Sequence, residues 1–347
     1  MNIFSSVIRT LIPVAIFLFN FLAFAETDAV GFNEDLELLA SVAQPIKNLH
    51  MKNKMPSGPF QGEEIDAAEK RPTIVLHEDG QRWIIANFHH QDRFYFASIP
   101  VNEVDKVFFQ LVKFHPLAAH SMLRFKLKEG HKISLLAEGP TDEEFAKGIT
   151  HKPLKKPILL NDAMLSIEST WTMGRDGYTV PRGLKGHFVN TLRMVSLSTR
   201  AMTYYRDDTV PTEQYVLNFN RQEASEILKE SIRTSDKQAQ TIGYNLFTRN
   251  CTTQIFDIVE KVLEQFRGNE KVTGVKQRAY RMLNRFLGFI RFYPLLSKYV
   301  INWAGYSTGN ARVVNLELEP ENQEIYRLEE ERLRIHREET MRAKQAM

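Results

Sequence analysis

Cys251 is the only cysteine in the 347 residues of the chain. Asn250 precedes it, and Ile255, Ile258, Val259, Val262 and Phe266 follow at helical spacing. Cys251 stands four residues before Ile255, so its thiol shares the face that the helix buries. Asn250 is a favourable N-cap, because its side-chain carbonyl accepts a hydrogen bond from one of the first free backbone N–H groups. At such a helix start the free N–H groups and the positive dipole end favour thiolate, which predicts a lowered thiol pKa and a better nucleophile. The opposite reading, a small buried core residue, is common for free cysteine.

A thiol nucleophile needs a base, and a base needs a group to orient it. His120 opens the alternating stretch His120-Ser121-Met122-Leu123-Arg124-Phe125-Lys126-Leu127. Lys128-Glu129-Gly130 reads as a turn, and His131 to Glu138 alternates again, so the two runs predict a hairpin. In that hairpin His120 lies opposite Glu138, while His131 is roughly 23 Å from His120 at ~3.3 Å per residue. The candidate catalytic residues are therefore Cys251, His120 and Glu138, with Ser134 replacing Glu138 if the register slips.

Other segments supply the frame. Leu36, Leu38, Leu39 and Val42 follow a helical pattern, and residues 73–76 and 83–88 read as strands joined through Asp79-Gly80. Adjacent His89 and His90 would point to opposite faces of a strand and have no acidic or cysteine partner at ligand spacing. No metal or other cofactor is implied. The glycines of 174–186 suggest tight turns beside a cleft. Residues 194–205 and 213–219 read as a strand pair. Asn220 with Glu223 forms a capping-box start for a helix whose apolar face is Ala224, Ile227, Leu228 and Ile232.

Composition narrows the compartment. An apolar run from Leu11 to Phe24 ends in Ala23-Phe24-Ala25, which reads as a secretory signal peptide cleaved after Ala25. The expected location is a bacterial periplasm, where an idle thiol is a liability. From Lys271 to Leu316 there is no acidic residue, while Arg278, Arg281, Arg285 and Arg291 alternate with an apolar and aromatic face. A basic amphipathic helix of this type suits peripheral contact with an anionic membrane. Nucleic acid is not an expected partner of an exported chain whose net charge is +3.

A His-bearing strand that precedes a Cys-bearing helix reverses the papain order, as circularly permuted papain-like folds do. Asn250-Cys251 resembles the motif of lecithin:retinol acyltransferase-like enzymes. Over residues 110–265, Ala119-His120-Ser121-Met122-Leu123-Arg124-Phe125, Arg182-Gly183-Leu184-Lys185-Gly186, Tyr215-Val216-Leu217-Asn218-Phe219 and Tyr244 with Asn250-Cys251-Thr252-Thr253 resemble the Lnb-type periplasmic domain family. Ala119 and His187 stand where that pattern has a glycine and a small residue. The resemblance implies an α+β, NlpC-like permuted papain domain, an antiparallel sheet packed on the cysteine helix, with amphipathic helices after it. The implied order is signal peptide 1–25, β-rich extension 26–109, catalytic domain 110–268, basic segment 269–316 and charged tail 317–347. The implied activity is acyl transfer from a membrane phospholipid or lipoprotein glyceride to a lipoprotein N-terminus through an acyl-cysteine. Two alternatives stay open: an NlpC-type peptidase or amidase, and a non-catalytic envelope binding module.

Overall fold

A computed structural model describes residues 32–42, 53–68, 70–115, 118–175, 177–200, 212–246, 248–271, 301–302, 305–307, 312–314 and 327. The expected signal peptide, most of segment 269–316 and nearly all of tail 317–347 lie outside these residues.

The fold is α+β. One sheet of 11 strands contains β1 (Ile74–Glu78), β2 (Trp83–His90), β3 (Arg93–Ile99), β4 (Val104–His115), β5 (Ala118–Leu127), β6 (Ile133–Glu138), β7 (Lys152–Leu160), β8 (Asp162–Thr170), β9 (Val189–Val195), β10 (Thr212–Val216) and β11 (Arg312–Val314). Their spatial order is β11-β10-β4-β5-β8-β9-β2-β3-β6-β7, with β1 paired to β2. The helices are α1 (residues 32–42), α2 (Asp142–Ala146), α3 (Val180–Leu184), α4 (from residue 197), α5 (Arg221–Gln238) and α6 (Cys251–Lys271).

Alternation along the strands sends side chains to two layers. Leu123, Phe125, Leu165 and Leu192 face the main core with Ile227 and Leu228 of α5 and Ile255, Phe256 and Val259 of α6. On the other side Ile84, Ala86 and Phe96 pack with Phe32 and Leu39 of α1. Asn87, with φ 62°, interrupts β2 as a bulge between Ile85 and Phe88. The extra residue shifts the alternation by one, so Trp83, Ile85 and then Phe88 all reach the main core. Asn87 secures the bulge by donating from Nδ2 to the Pro72 carbonyl at 3.0 Å.

The 74–78 and 83–90 strands form the expected hairpin. Asn220 and Glu223 close the expected capping box on α5. Three expectations are corrected. β5 and β6 do not pair: β5 lies between β4 and β8, and β6 between β3 and β7. The expected strand 194–205 coincides with β9 only at Met194 and Val195, runs into α4 at 197–200 and has 201–205 outside the described residues; β9 joins β8 and β2 while β10 joins β4 and β11, so the two do not pair. A boundary between 109 and 110 falls inside β4, and β1–β3 belong to the same sheet as the rest, so 26–109 is no separate extension. A period of two is satisfied by any antiparallel neighbour, so alternation alone left these pairings open.

His89 and His90 are both buried on β2. Burial, joined by Arg193 at His89, lowers their pKa values to about 3 and about 4. The His90 ring meets the Ser196 hydroxyl at 2.9 Å. Both groups take protons near pH 6.5 when unfolded, so the unfolded chain binds more protons as pH falls from about 6.5 to about 4. Buried His120, whose pKa is also lowered to about 3, adds a third, and three such protons correspond to a slope of up to about 4.1 kcal/mol per pH unit. Urea unfolding at pH 7 and pH 5 is expected to show this loss at the lower pH, and His90→Gln to reduce the slope by about a third. An unchanged midpoint across that window contradicts the assignment.

Candidate active site

β5 and β8 form a ladder from Lys126↔Asp162 to Met122↔Ser166. Beyond it they part. β5 continues to Ala118 along β4 alone, and β8 continues to Thr170 along β9. Among the described residues, the β8-facing edge of residues 118–121 is thereby left without a strand.

α6 begins at this gap. The Asn250 side chain accepts from Thr253 N–H at 2.9 Å, and the Thr253 hydroxyl accepts from Asn250 N–H at 2.9 Å, so the cap is reciprocal. The first helical residue, Cys251, has its sulfur against the Ser121 N–H and hydroxyl and the Thr252 N–H and hydroxyl. Strand N–H groups point sideways in the plane of the sheet. The sulfur therefore sits against β5, within the main core cluster. Ser121 Oγ and Thr252 Oγ1, 2.8 Å apart, tie the strand to the helix start. Tyr244 and Tyr178 stand beyond the sulfur, their hydroxyls 3.1 Å apart, and Phe188 stacks on Tyr178 with centroids at 5.3 Å. Burial pushes both phenols up, and the neighbouring thiol adds to this.

The expected lowering of the thiol pKa is not found. Cys251 is 8% exposed, and burial raises its pKa despite the Ser121 and Thr252 donors. Desolvation of the thiolate outweighs what the helix start offers, so the resting group is the neutral thiol.

His120 reaches across the gap. Its Nε2 lies 3.0 Å from Ser166 Oγ on β8. Ser166 donates to Glu168 Oε1 at 3.0 Å and also meets Arg200 Nη2. Glu168 is bound by Arg193 Nε at 2.8 Å and by Arg200, with Lys70 Nζ at 3.7 Å. Burial alone would raise the Glu168 pKa, but Arg193, Arg200 and Lys70 hold it well below the ordinary carboxylate range. The carboxylate is thus an acceptor only, and the single proton of the Ser166 hydroxyl is committed to it. His120 Nε2 must therefore donate to Ser166, which makes Nε2–H the tautomer and leaves Nδ1 unprotonated. Burial, assisted by Arg200, lowers the His120 pKa to about 3, so the imidazole is neutral.

The structure places Cys251 against Ser121, the residue next to His120 on β5, while the His120 ring goes to Ser166 on β8. It does not bring Glu138 to them. Four strands separate β5 from β6, about 24 Å at ~4.8 Å per strand. Glu138 is instead paired with Arg93 at 2.8 Å and Lys152 at 3.0 Å, and Ser134 lies on the same distant strand. The group that orients His120 is Ser166, backed by Glu168. These two share one face of β8 at i and i+2, a spacing that gains meaning only when β8 is known to be the neighbour of β5.

The chain matches the family model described as the Lnb N-terminal periplasmic domain over residues 90–285. No curated protein and no solved structure matches it.

The Glu168 carboxylate is 10% exposed and compensates two nearly buried guanidinium groups. Glu168→Gln is expected to destabilise the fold by about 3–5 kcal/mol, the usual effect of leaving a buried charge uncompensated. Ser166→Ala, which removes one hydroxyl and keeps the charges, is expected to cost about 1–3 kcal/mol. Urea unfolding at pH 7 measures both, and equal losses contradict the central role of Glu168.

Proposed function

The chain belongs to the Lnb N-terminal periplasmic domain family, and from that premise we propose that it is a thiol-dependent acyltransferase of the bacterial envelope with a permuted papain-like site. Membership makes it an envelope protein with a periplasmic domain. The observation that carries the acyltransferase reading is the contact of the Cys251 sulfur with the Ser121 and Thr252 donors, one residue along β5 from His120, whose imidazole is oriented by Ser166.

Both partners rest neutral, so proton transfer accompanies attack rather than preceding it. Cys251 Sγ attacks the carbonyl carbon of an acyl ester while His120 Nδ1 takes the thiol proton. N–H groups at the start of α6 stabilise the oxyanion. The ester C–O bond breaks, His120 returns the proton to the departing alcohol, and the acyl chain remains as a thioester on Cys251. An amine then attacks the thioester, gives its proton to His120 and leaves as the amide, and the proton restores the thiol. Buried beside Tyr178 and Tyr244, the thioester is shielded from water, which favours an amine acceptor over hydrolysis. The acyl donor is a phospholipid or lipoprotein glyceride and the acceptor a lipoprotein N-terminus.

The purified protein, incubated in vesicles with a diacylated lipoprotein, is expected to yield an N-acylated product by mass spectrometry. Cys251→Ala is expected to abolish the product, and His120→Ala to slow its formation by about 10²–10⁴-fold. Full acylation by Cys251→Ala sinks the proposal. Release of free fatty acid or of cell-wall peptides in place of an amide makes the protein a hydrolase.

A further inference from the structure

A cavity of about 250 Å³ is lined by Phe60, Trp171, Thr172, Arg175, Arg182 and His187, with Phe188, which also packs on Tyr178 and Tyr244. Its construction is specific. The Arg175 guanidinium lies 3.9 Å over the Phe60 ring, which also meets His187 edge-on at 4.7 Å between centroids. The 53–64 loop that carries Phe60 is held close to the 182–187 turn: a Cβ at Gly58, where φ is +89°, would meet the Gly186 carbonyl oxygen at 2.3 Å. Gly58 cannot be replaced without moving one wall.

The cavity is cationic. Arg175, Arg182 and Lys185 all act on His187 and, with burial as the largest cause, lower its pKa. Glu63 pairs with Arg175 at 3.2 Å between partly exposed side chains, an arrangement that contributes little against water. Thr172 is 1% exposed, and among the described residues neither its hydroxyl nor His187 Nδ1 has a hydrogen-bond partner. A buried hydroxyl left unsatisfied costs about 1–3 kcal/mol unless something binds it. Around the same turn, Met173, Val180 and Leu184 expose 56%, 48% and 43% of their surface.

We propose that the cavity bordered by Arg175, Arg182, Thr172 and His187 binds a phosphate group. A phosphate oxyanion suits guanidinium donors, whose planar forks match its oxygens. It would accept from the Thr172 hydroxyl, and it fits a cavity of this volume where a larger acyl or peptide group does not. The group belongs either to a lipid headgroup, which the exposed Met173, Val180 and Leu184 would accompany into the bilayer interface, or to a free phosphate ester. The site adds to the acyl-transfer reading, and its test reads binding alone, so failure of one leaves the other standing.

The test uses the full chain carrying Cys251→Ala, so that no turnover intrudes. Inorganic phosphate is titrated while the fluorescence of Trp171, which lines the cavity, is followed, and sedimentation with vesicles of phosphatidylglycerol or phosphatidylcholine is measured in parallel. Saturable phosphate binding that Arg175→Gln/Arg182→Gln weakens by at least about tenfold, with an unchanged melting temperature, supports the site. Loss of phosphatidylglycerol-vesicle binding in the same variant and in Met173→Ser/Leu184→Ser, while the latter keeps phosphate binding, assigns the phosphate to a lipid. Phosphate binding without vesicle binding assigns it to a free ester. Absence of saturable phosphate binding, or binding that the double arginine substitution leaves intact, overturns the proposal.

Discussion

The candidate site depends on one nearly buried carboxylate. Glu168 is the negative charge on which Arg193, Arg200 and Lys70 converge, and without it the β8–β9 face would hold guanidinium groups with no compensating charge. The same carboxylate commits the proton of Ser166, and Ser166 fixes the tautomer of His120. A structural ion pair and the orientation of a prospective base are therefore the same interaction. Excess positive charge around Glu168 has a second effect. With burial, it keeps His120 neutral far below neutral pH.

The place where β5 and β8 part is as important as the charges. Pairing of β5 with β8 ends at Met122↔Ser166; just beyond it on β5, Ser121 meets the Cys251 sulfur and the His120 imidazole reaches Ser166 on β8. The helix is set there by its reciprocal Asn250–Thr253 cap and by the contact between Ser121 and Thr252. Burial then governs the chemistry. The thiol is neutral and held by donors that gain strength as negative charge develops on sulfur, so its reactivity is coupled to proton removal by a neighbouring base.

Tyr178, Phe188 and Tyr244 link two environments of opposite character. The thiol, among neutral donors, lies near Tyr178 and Tyr244, and the cationic cavity of Arg175, Arg182 and His187 is lined by Phe188. The 171–188 segment builds both, through Tyr178 on the one hand and Trp171 to Arg175 on the other. Its tight turns, close contact with the 53–64 loop and exposed apolar side chains make it the part of the surface where a ligand with charged and apolar portions would find both matched.

The local signals in the sequence determined local structure. Asn250 before Cys251 and an apolar repeat determined a capped helix with its first residue turned inward, and the 74–90 hairpin and the Asn220–Glu223 capping box follow equally from neighbours in the chain. Family resemblance rested on the same short stretches. Tertiary structure decided everything that depends on which strands lie side by side. The alternation of 120–127 and 131–138 satisfies a hairpin as well as it satisfies separate places in a sheet, so Glu138 was legible as a partner of His120 although Ser166 and Glu168 hold that place. Tertiary structure also decided the sign of the thiol shift. A helix start favours thiolate wherever it occurs, but the opposing desolvation depends on how many side chains from distant parts of the chain close over the sulfur, and no spacing in the sequence records that number.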